Sequence, residues 1–169
     1  AIVIDDMGLD MTDSRHAVTL PPAVTLSYMP YATRLREQTK EAREAGHELL
    51  LHMPMEPLGA ADPGPGALLV GLPPDEIRRR LDTALASFTG QDGVNNHMGS
   101  RFTADRSGME IVIDDLKQRG LFFLDSRTSA QSVGADVARQ RGEPYVTRDV
   151  FLDDIITPKA VRAQMDAVE

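Results

Sequence analysis

The sequence predicts an α/β fold built on a parallel sheet, and three observations carry that prediction. Short apolar runs such as Ala1 to Ile4, Leu49 to Leu51 and Leu121 to Leu124 end in polar residues, which is how strands buried on both faces read. Helix-length segments with an apolar face separate these runs. A glycine closes each of four such segments, at positions 46, 90, 120 and 142, and a strand-like run follows each one. Strands separated by helices of this length pair in parallel through right-handed crossovers, in either an open doubly wound sheet or a barrel. Both architectures collect functional groups at the carboxyl ends of the strands.

Taken in order, Ala1 to Asp6 forms the first strand, closed by two acids and broken by Met7-Gly8. Asp10 to Val18 reads as a short helix with Thr12 or Asp13 near its start, and Val24 to Tyr28 as a second strand ended by Met29-Pro30. A charged helix with a narrow apolar face (Leu35, Thr39, Ala42, Ala45) runs from Thr33 to Gly46, followed by the strand His47 to His52. Residues 53 to 66 contain four prolines and three glycines, so an irregular excursion that rims a cleft is expected there. Pro73-Pro74-Asp75-Glu76 opens the clearest helix, with Ile77, Leu81, Leu85 and Phe88 on one face and Gly90 as its stop. The strand leading to His97 comes next. Met109, Val112, Ile113 and Leu116 mark a helix ending at Gly120, then Leu121 to Leu124 a strand ending in Asp125-Ser126. A helix from about Gln131 to Arg141, a strand-like run from Tyr145 to Asp153 and a helix opening at Thr157-Pro158 complete the order.

At 169 residues and 41% hydrophobic content the chain suits one domain with a sizeable core. A net charge of −8 opposes nucleic-acid and anionic-membrane binding and favours a neutral or cationic substrate. Without cysteine, any metal must be held by nitrogen and oxygen. No apolar run is long enough to span a bilayer, no signal-peptide pattern precedes the first strand, and no glycine-rich phosphate loop is present. Because the chain opens directly in a core strand and stops inside a helix-like stretch, it is expected to be part of a longer protein.

Several strand ends carry groups able to bind metal or move protons. Asp5 and Asp6 follow four apolar residues, where two adjacent acids are costly unless something cationic sits with them. Adjacent residues point differently, so one can bind a metal while the other stays free as a proton acceptor. His52 has Glu56 four residues on, although Pro54 and Pro57 argue against a helix that would align them. His97 closes the stretch Gly93-Val94-Asn95-Asn96-His97-Met98-Gly99-Ser100, two amides and an imidazole delivered before a flexible turn. Asp125, at the end of its own strand, could orient a ligand histidine. Most have a bland alternative: a helix-dipole partner for the acids, a solvent-facing Glu56, a core histidine bonded to backbone for His97, a cap for Asp125. His16 and His47 lack such company and read as surface or structural. Methionines 7, 29, 53, 55 and 98, also near strand ends, read as adaptable apolar wall rather than as thioether ligands.

The motifs Ile-Asp-Asp-Met-Gly (4 to 8), His-Met-Pro-Met-Glu-Pro (52 to 57), Gly-Val-Asn-Asn-His-Met-Gly-Ser (93 to 100), Leu-Asp-Ser-Arg-Thr (124 to 128) and Arg-Asp-Val-Phe-Leu-Asp (148 to 153) resemble the divergent polysaccharide deacetylases of bacteria. The resemblance runs through nearly the whole chain in order. It implies a distorted (β/α) barrel, here incomplete at the C-terminal end, with one divalent metal, usually zinc. It further implies hydrolysis of N-acetyl groups on a cell-envelope or exported saccharide, and a periplasmic or exported location. By the same resemblance Asp5 is the catalytic base and Asp6 and His52 are metal ligands. The third ligand is either His97, the preferred choice, or Glu56, which stands where related esterases have a second histidine. Asn96, Ser100, Asp125 and Asp153 complete the set of residues expected to ligate or support the site. A Gly-His-Pro motif usual near the family's carboxyl end does not occur in this chain, so no general acid is assigned. The contrasting readings are a non-catalytic glycan- or partner-binding barrel and a metal-dependent amidase or esterase acting on a non-sugar substrate.

Overall fold

The computed structural model describes residues 1–167. Six strands, β1 (Ile2–Met7), β2 (Val24–Tyr28), β3 (Leu49–Met55), β4 (Gly93–Met98), β5 (Phe122–Asp125) and β6 (Tyr145–Thr147), form one sheet in sequential order, with every neighbouring pair parallel. Among the described residues six α-helices accompany them: α1 (Met11–Val18), α2 (Leu35–Glu44), α3 (Pro74–Leu85), α4 (Arg106–Arg119), α5 (Gly134–Arg141) and α6 (Pro158–Asp166). A doubly wound sheet reverses its strand order at a switch point, whereas here the chain steps one way throughout, so successive right-handed crossovers keep the helices on one face. The sheet is therefore a half-barrel. No pairing joins β1 to β6 among the described residues.

The two faces of the sheet differ in chemistry. Leu26, Tyr28, Leu49, Leu51, Met53, Met55, Val94 and Phe123 alternate onto the helix-covered face and join Ile77, Leu81, Phe88, Val112, Ile113 and Leu116 in the core. The opposite parity carries Ser27, His52, Asn95, His97 and Ser126. Strand pairing puts His52 level with Asn95, with His97 two residues further along β4. The period of two thus keeps the helix side mainly apolar and brings Ser27, His52, Asn95 and His97 together on the concave side.

Several boundaries differ from the sequence expectation, each for a local reason. Strand β3 does not stop at His52 but continues to Met55 through Pro54. The Pro54 carbonyl accepts from Leu68 N at 2.9 Å, so its missing N–H lies on the side away from β4 and costs no ladder bond to that strand. The proline-rich excursion begins only after Met55 and returns to bridge it at Leu68. Helix α3 ends at Leu85, five residues before Gly90, because Ser87 Oγ and Gln91 Nε2 donate to the Ala84 and Leu85 carbonyls. Helix α1 opens where expected, with Asp10 as its cap accepting from Thr12 N at 2.7 Å and Asp13 N at 3.0 Å. Strand β6 covers only Tyr145–Thr147, and Asp149 and Asp153 lie beyond it in irregular chain.

Gly93 marks a close approach of β4 and β5. A Cβ there would lie 2.6 Å from the Phe122 carbonyl oxygen, a backbone atom that cannot yield without moving the strand. Gly93→Ala is expected to destabilise the fold by about 1–3 kcal/mol. Urea unfolding reads this directly; an unchanged midpoint would show that the two strands separate freely.

Candidate metal centre

The carboxyl ends of β1, β3 and β4 bring three sequence-predicted residues together. Asp6 Oδ1 lies 2.9 Å from His97 Nδ1 and 3.4 Å from His52 Nε2, and the two imidazole nitrogens are 3.2 Å apart. Among the described residues, this trio is the group of histidine and acidic side chains whose donor atoms converge closely enough to hold a metal ion. The spacings match the donor set of a small tetrahedral cation: bonds of about 2.0–2.1 Å place neighbouring ligands about 3.3 Å apart. Two nitrogens and one carboxylate, leaving a fourth position free, form a set suited to a catalytic zinc-like ion.

Local backbone features explain the convergence. The register of β1 against β2 slips by one residue between Ile4 and Met7, and Asp6 has φ 55°. This bulge interrupts the alternation that would send Asp5 and Asp6 to opposite faces, so both acids reach the same site. Met98 has φ 52° and Gly99 φ 86°, so the chain turns sharply just after His97. His52 is buried, its side chain 4% exposed, while the Asp6 side chain is 57% exposed and opens to the concave side. The two imidazole rings meet edge to face at 4.9 Å.

Hydrogen bonding to His52, then to His97, holds the Asp6 carboxyl far below the ordinary carboxylate range. Burial opposes the charged form of His52, but hydrogen bonding to Asp6, the Asp5 charge and the Asn95 carbonyl outweigh it and raise its pKa. Without a bound cation, protons therefore compete for this imidazole at higher pH than for a free histidine.

The remaining predicted residues fall into separate places. Asp5 stands beside the trio, its Oδ1 accepting from Asn95 Nδ2 at 2.9 Å and lying 3.9 Å from His52 Nδ1. Both Glu56 oxygens are engaged elsewhere, with Arg101 Nη1 at 2.8 Å and Val70 N at 2.6 Å, so its carboxylate braces the returning excursion. Asn96 points away from His97, accepting from Ser126 N and donating to Met98 O, and so pins the ends of β4 and β5 together. Ser100 Oγ accepts from Leu58 N. Asp125 accepts from Arg127 N and Ser132 Oγ and shapes its own turn, contacting neither histidine of the trio. Asp153 is exposed in the loop after β6. His47 is buried with its ring nitrogens 2.8 and 3.1 Å from the Val24 and Val18 carbonyls, and His16 is exposed on α1.

Sequence reasoning passed over Asn95. It is fully buried and touches Asp5, His52, Ser27 and Ser126 at once. The signal was available, because two residues before His97 on one strand is the same face, whereas Asn96 is the opposite one. Glu56→Gln is expected to leave metal stoichiometry unchanged while loosening the segment around Val70, readable as faster amide exchange there. A fall in bound metal would make Glu56 a ligand.

Near the ends of β5 and β6 an open cleft is lined by Arg127, Ser129, Ala130, Arg148 and Asp149. Arg148 is fixed there by donating to the Ser126 and Arg127 carbonyls at 2.7 and 2.9 Å. No helix among the described residues is long and apolar enough to cross a membrane.

With this geometry in view, comparison with known proteins is informative. Residues 2–169 match the family model described as divergent polysaccharide deacetylase. An uncharacterized protein of Haemophilus influenzae is 36% identical over 154 residues, covering 91% of this chain and 55% of the relative. The uncharacterized protein YibQ of Escherichia coli is 34% identical over 166 residues, covering 98% and 52% respectively. The chain thus spans about half the length of these curated relatives. The crystal structure of an uncharacterized protein from Agrobacterium tumefaciens superposes with a TM-score of 0.96 at 38% identity, covering 99% of this chain and 70% of that one.

Proposed function

Because the chain belongs to the divergent polysaccharide deacetylase family, we propose that it is a metal-dependent hydrolase that removes N-acetyl groups from a cell-envelope or exported polysaccharide. The observation that carries this reading is the convergence of Asp6, His52 and His97 with a separate carboxylate, Asp5, alongside. Asp6 Oδ1, His52 Nε2 and His97 Nδ1 would hold one divalent cation, with zinc the ion best suited to two imidazoles and a carboxylate. Such a cation supplies a Lewis acid that makes water more acidic and polarises an amide carbonyl.

The chain's own residues supply the rest. Asp5, held through one oxygen by Asn95, takes the proton from the attacking water. The turn at Met98 to Ser100 offers backbone N–H groups to the oxygen on which negative charge develops. His52 and His97 keep their donor nitrogens aimed at one point. The family implies a carbohydrate substrate, and the open, polar concave side suits a sugar chain better than an apolar ligand. An extracytoplasmic location follows from the same assignment of substrate.

The test is acetate release from N-acetylated oligosaccharides by zinc-loaded protein, beside simple non-sugar acyl amides. Release from the sugars supports the reading. Release from the non-sugar amides alone would make the protein a different amidase, and saccharide binding without release would make it a binding module.

A further inference from the structure

We propose that Asn95 is the positioning residue of this site: its amide nitrogen holds the Asp5 carboxylate, and its carbonyl fixes His52 as the Nδ1–H tautomer, so that the bare Nε2 faces the cation. The first half rests on the reading of Asp5 as the base. The second rests on hydrogen-bond geometry alone.

The orientation of the amide follows from its partners. An ionised carboxylate only accepts hydrogen bonds, so the group 2.9 Å from Asp5 Oδ1 is the Asn95 NH2, which also lies 3.3 Å from Ser126 Oγ. The carbonyl oxygen is then the atom 2.9 Å from His52 Nδ1 and 2.6 Å from Ser27 Oγ. A carbonyl only accepts, so Ser27 donates its hydroxyl proton and His52 donates from Nδ1. In the neutral imidazole this leaves Nε2 with its lone pair, and Nε2 is the atom 3.2 Å from His97 Nδ1 and 3.4 Å from Asp6 Oδ1.

The amide has no alternative arrangement. Turned over, its carbonyl would face the Asp5 carboxylate. Asn95 is fully buried on β4, with Ser27 and His52 of β2 and β3 on one side and Ser126, just past β5, on the other. The opposite His52 tautomer would aim an N–H at the cation position and leave the Asn95 oxygen facing a lone pair. One side chain thereby couples the proton acceptor to the ligand set, in a way neither a carboxylate nor an apolar residue at this position reproduces.

Two near-isosteric variants separate its two hands. N95D keeps an acceptor for His52 but replaces the donor to Asp5 by a second carboxylate. N95L removes both. The primary readout is the long-range 1H–15N histidine spectrum of metal-stripped protein, recorded at rising pH until the ring signals no longer move, so that the neutral imidazole of His52 is the species read. Wild type is expected to show His52 protonated at Nδ1, N95D to keep that pattern, and N95L to lose it with zinc affinity about 10–100-fold weaker. In the acetate-release assay N95D is expected to lower kcat about 100-fold with KM little changed. A neutral wild-type His52 carrying its proton on Nε2 would overturn the proposal without any variant. So would N95L with wild-type tautomer and affinity, or active wild type with N95D at full kcat. If N95L does not fold, as judged by circular dichroism, the wild-type spectrum decides the tautomer. If the wild type releases no acetate, the hydrolase reading fails, while the spectrum still decides the role toward His52.

Discussion

Replacing Asp6, His52 and His97 together by alanine is expected to abolish divalent-metal binding, from about one equivalent in the wild type to none detectable. The reason is geometric. Three donors 2.9 to 3.4 Å apart form a preorganised cage, and no other histidine or acidic side chain of the described residues joins it. Asp5 does not substitute, because one carboxylate, held through its Oδ1 by Asn95, is too few donors to retain a divalent ion by itself. The fold is expected to survive with a modest loss, since Asp6 is largely exposed. Removing the buried His52 imidazole leaves a cavity and leaves Asn95 Oδ1 with Ser27 as its remaining donor, together a cost of about 2–4 kcal/mol. Elemental analysis after reconstitution with zinc, with circular dichroism as the folding control, makes the measurement. Full stoichiometry in the triple variant would move the metal elsewhere and remove the basis for the hydrolase reading.

Asp5→Asn is expected to lower acetate release by about 10²–10⁴-fold while the metal stays bound. The substitution is nearly isosteric, and its carbonyl can still accept from Asn95, so the ligand set is undisturbed. What disappears is the capacity to take a proton. Turnover and metal content measured on the same preparation separate the two effects. More than half the wild-type rate in Asp5→Asn would take Asp5 out of the base role, and loss of metal would recast it as a ligand.

The residues that converge were visible in the chain because buried parallel strands leave a strong trace: a short apolar run, then a polar residue where the strand leaves the core. Asp6 and His97 stand at or near such ends, and His52 follows the apolar run Leu49 to Leu51 in the same way even though β3 runs three residues further. The glycines closing α4 and α5 were equally readable, since a left-handed stop at Gly120 and Gly142 is a local property. Glu56 shows the opposite case. Its spacing from His52 is that of a ligand pair, but spacing alone does not reveal that Arg101 and the Val70 amide, 45 and 14 residues away along the chain, take up both of its oxygens.

By itself, then, the sequence determined the parallel α/β order and the stretches where strands deliver polar residues, because periodicity, glycine stops and polar strand termini are written within a few residues of one another. Tertiary structure decided what no local pattern contains. Stepping always in one direction made the sheet a half-barrel. A one-residue slip between β1 and β2 turned two adjacent acids into the same site. The register of β3 against β4 placed Asn95, rather than Asn96, level with His52. These are long-range pairings, and hydrogen bonds between strands, not the preferences of the residues themselves, select among the alternatives that the local chain leaves equal.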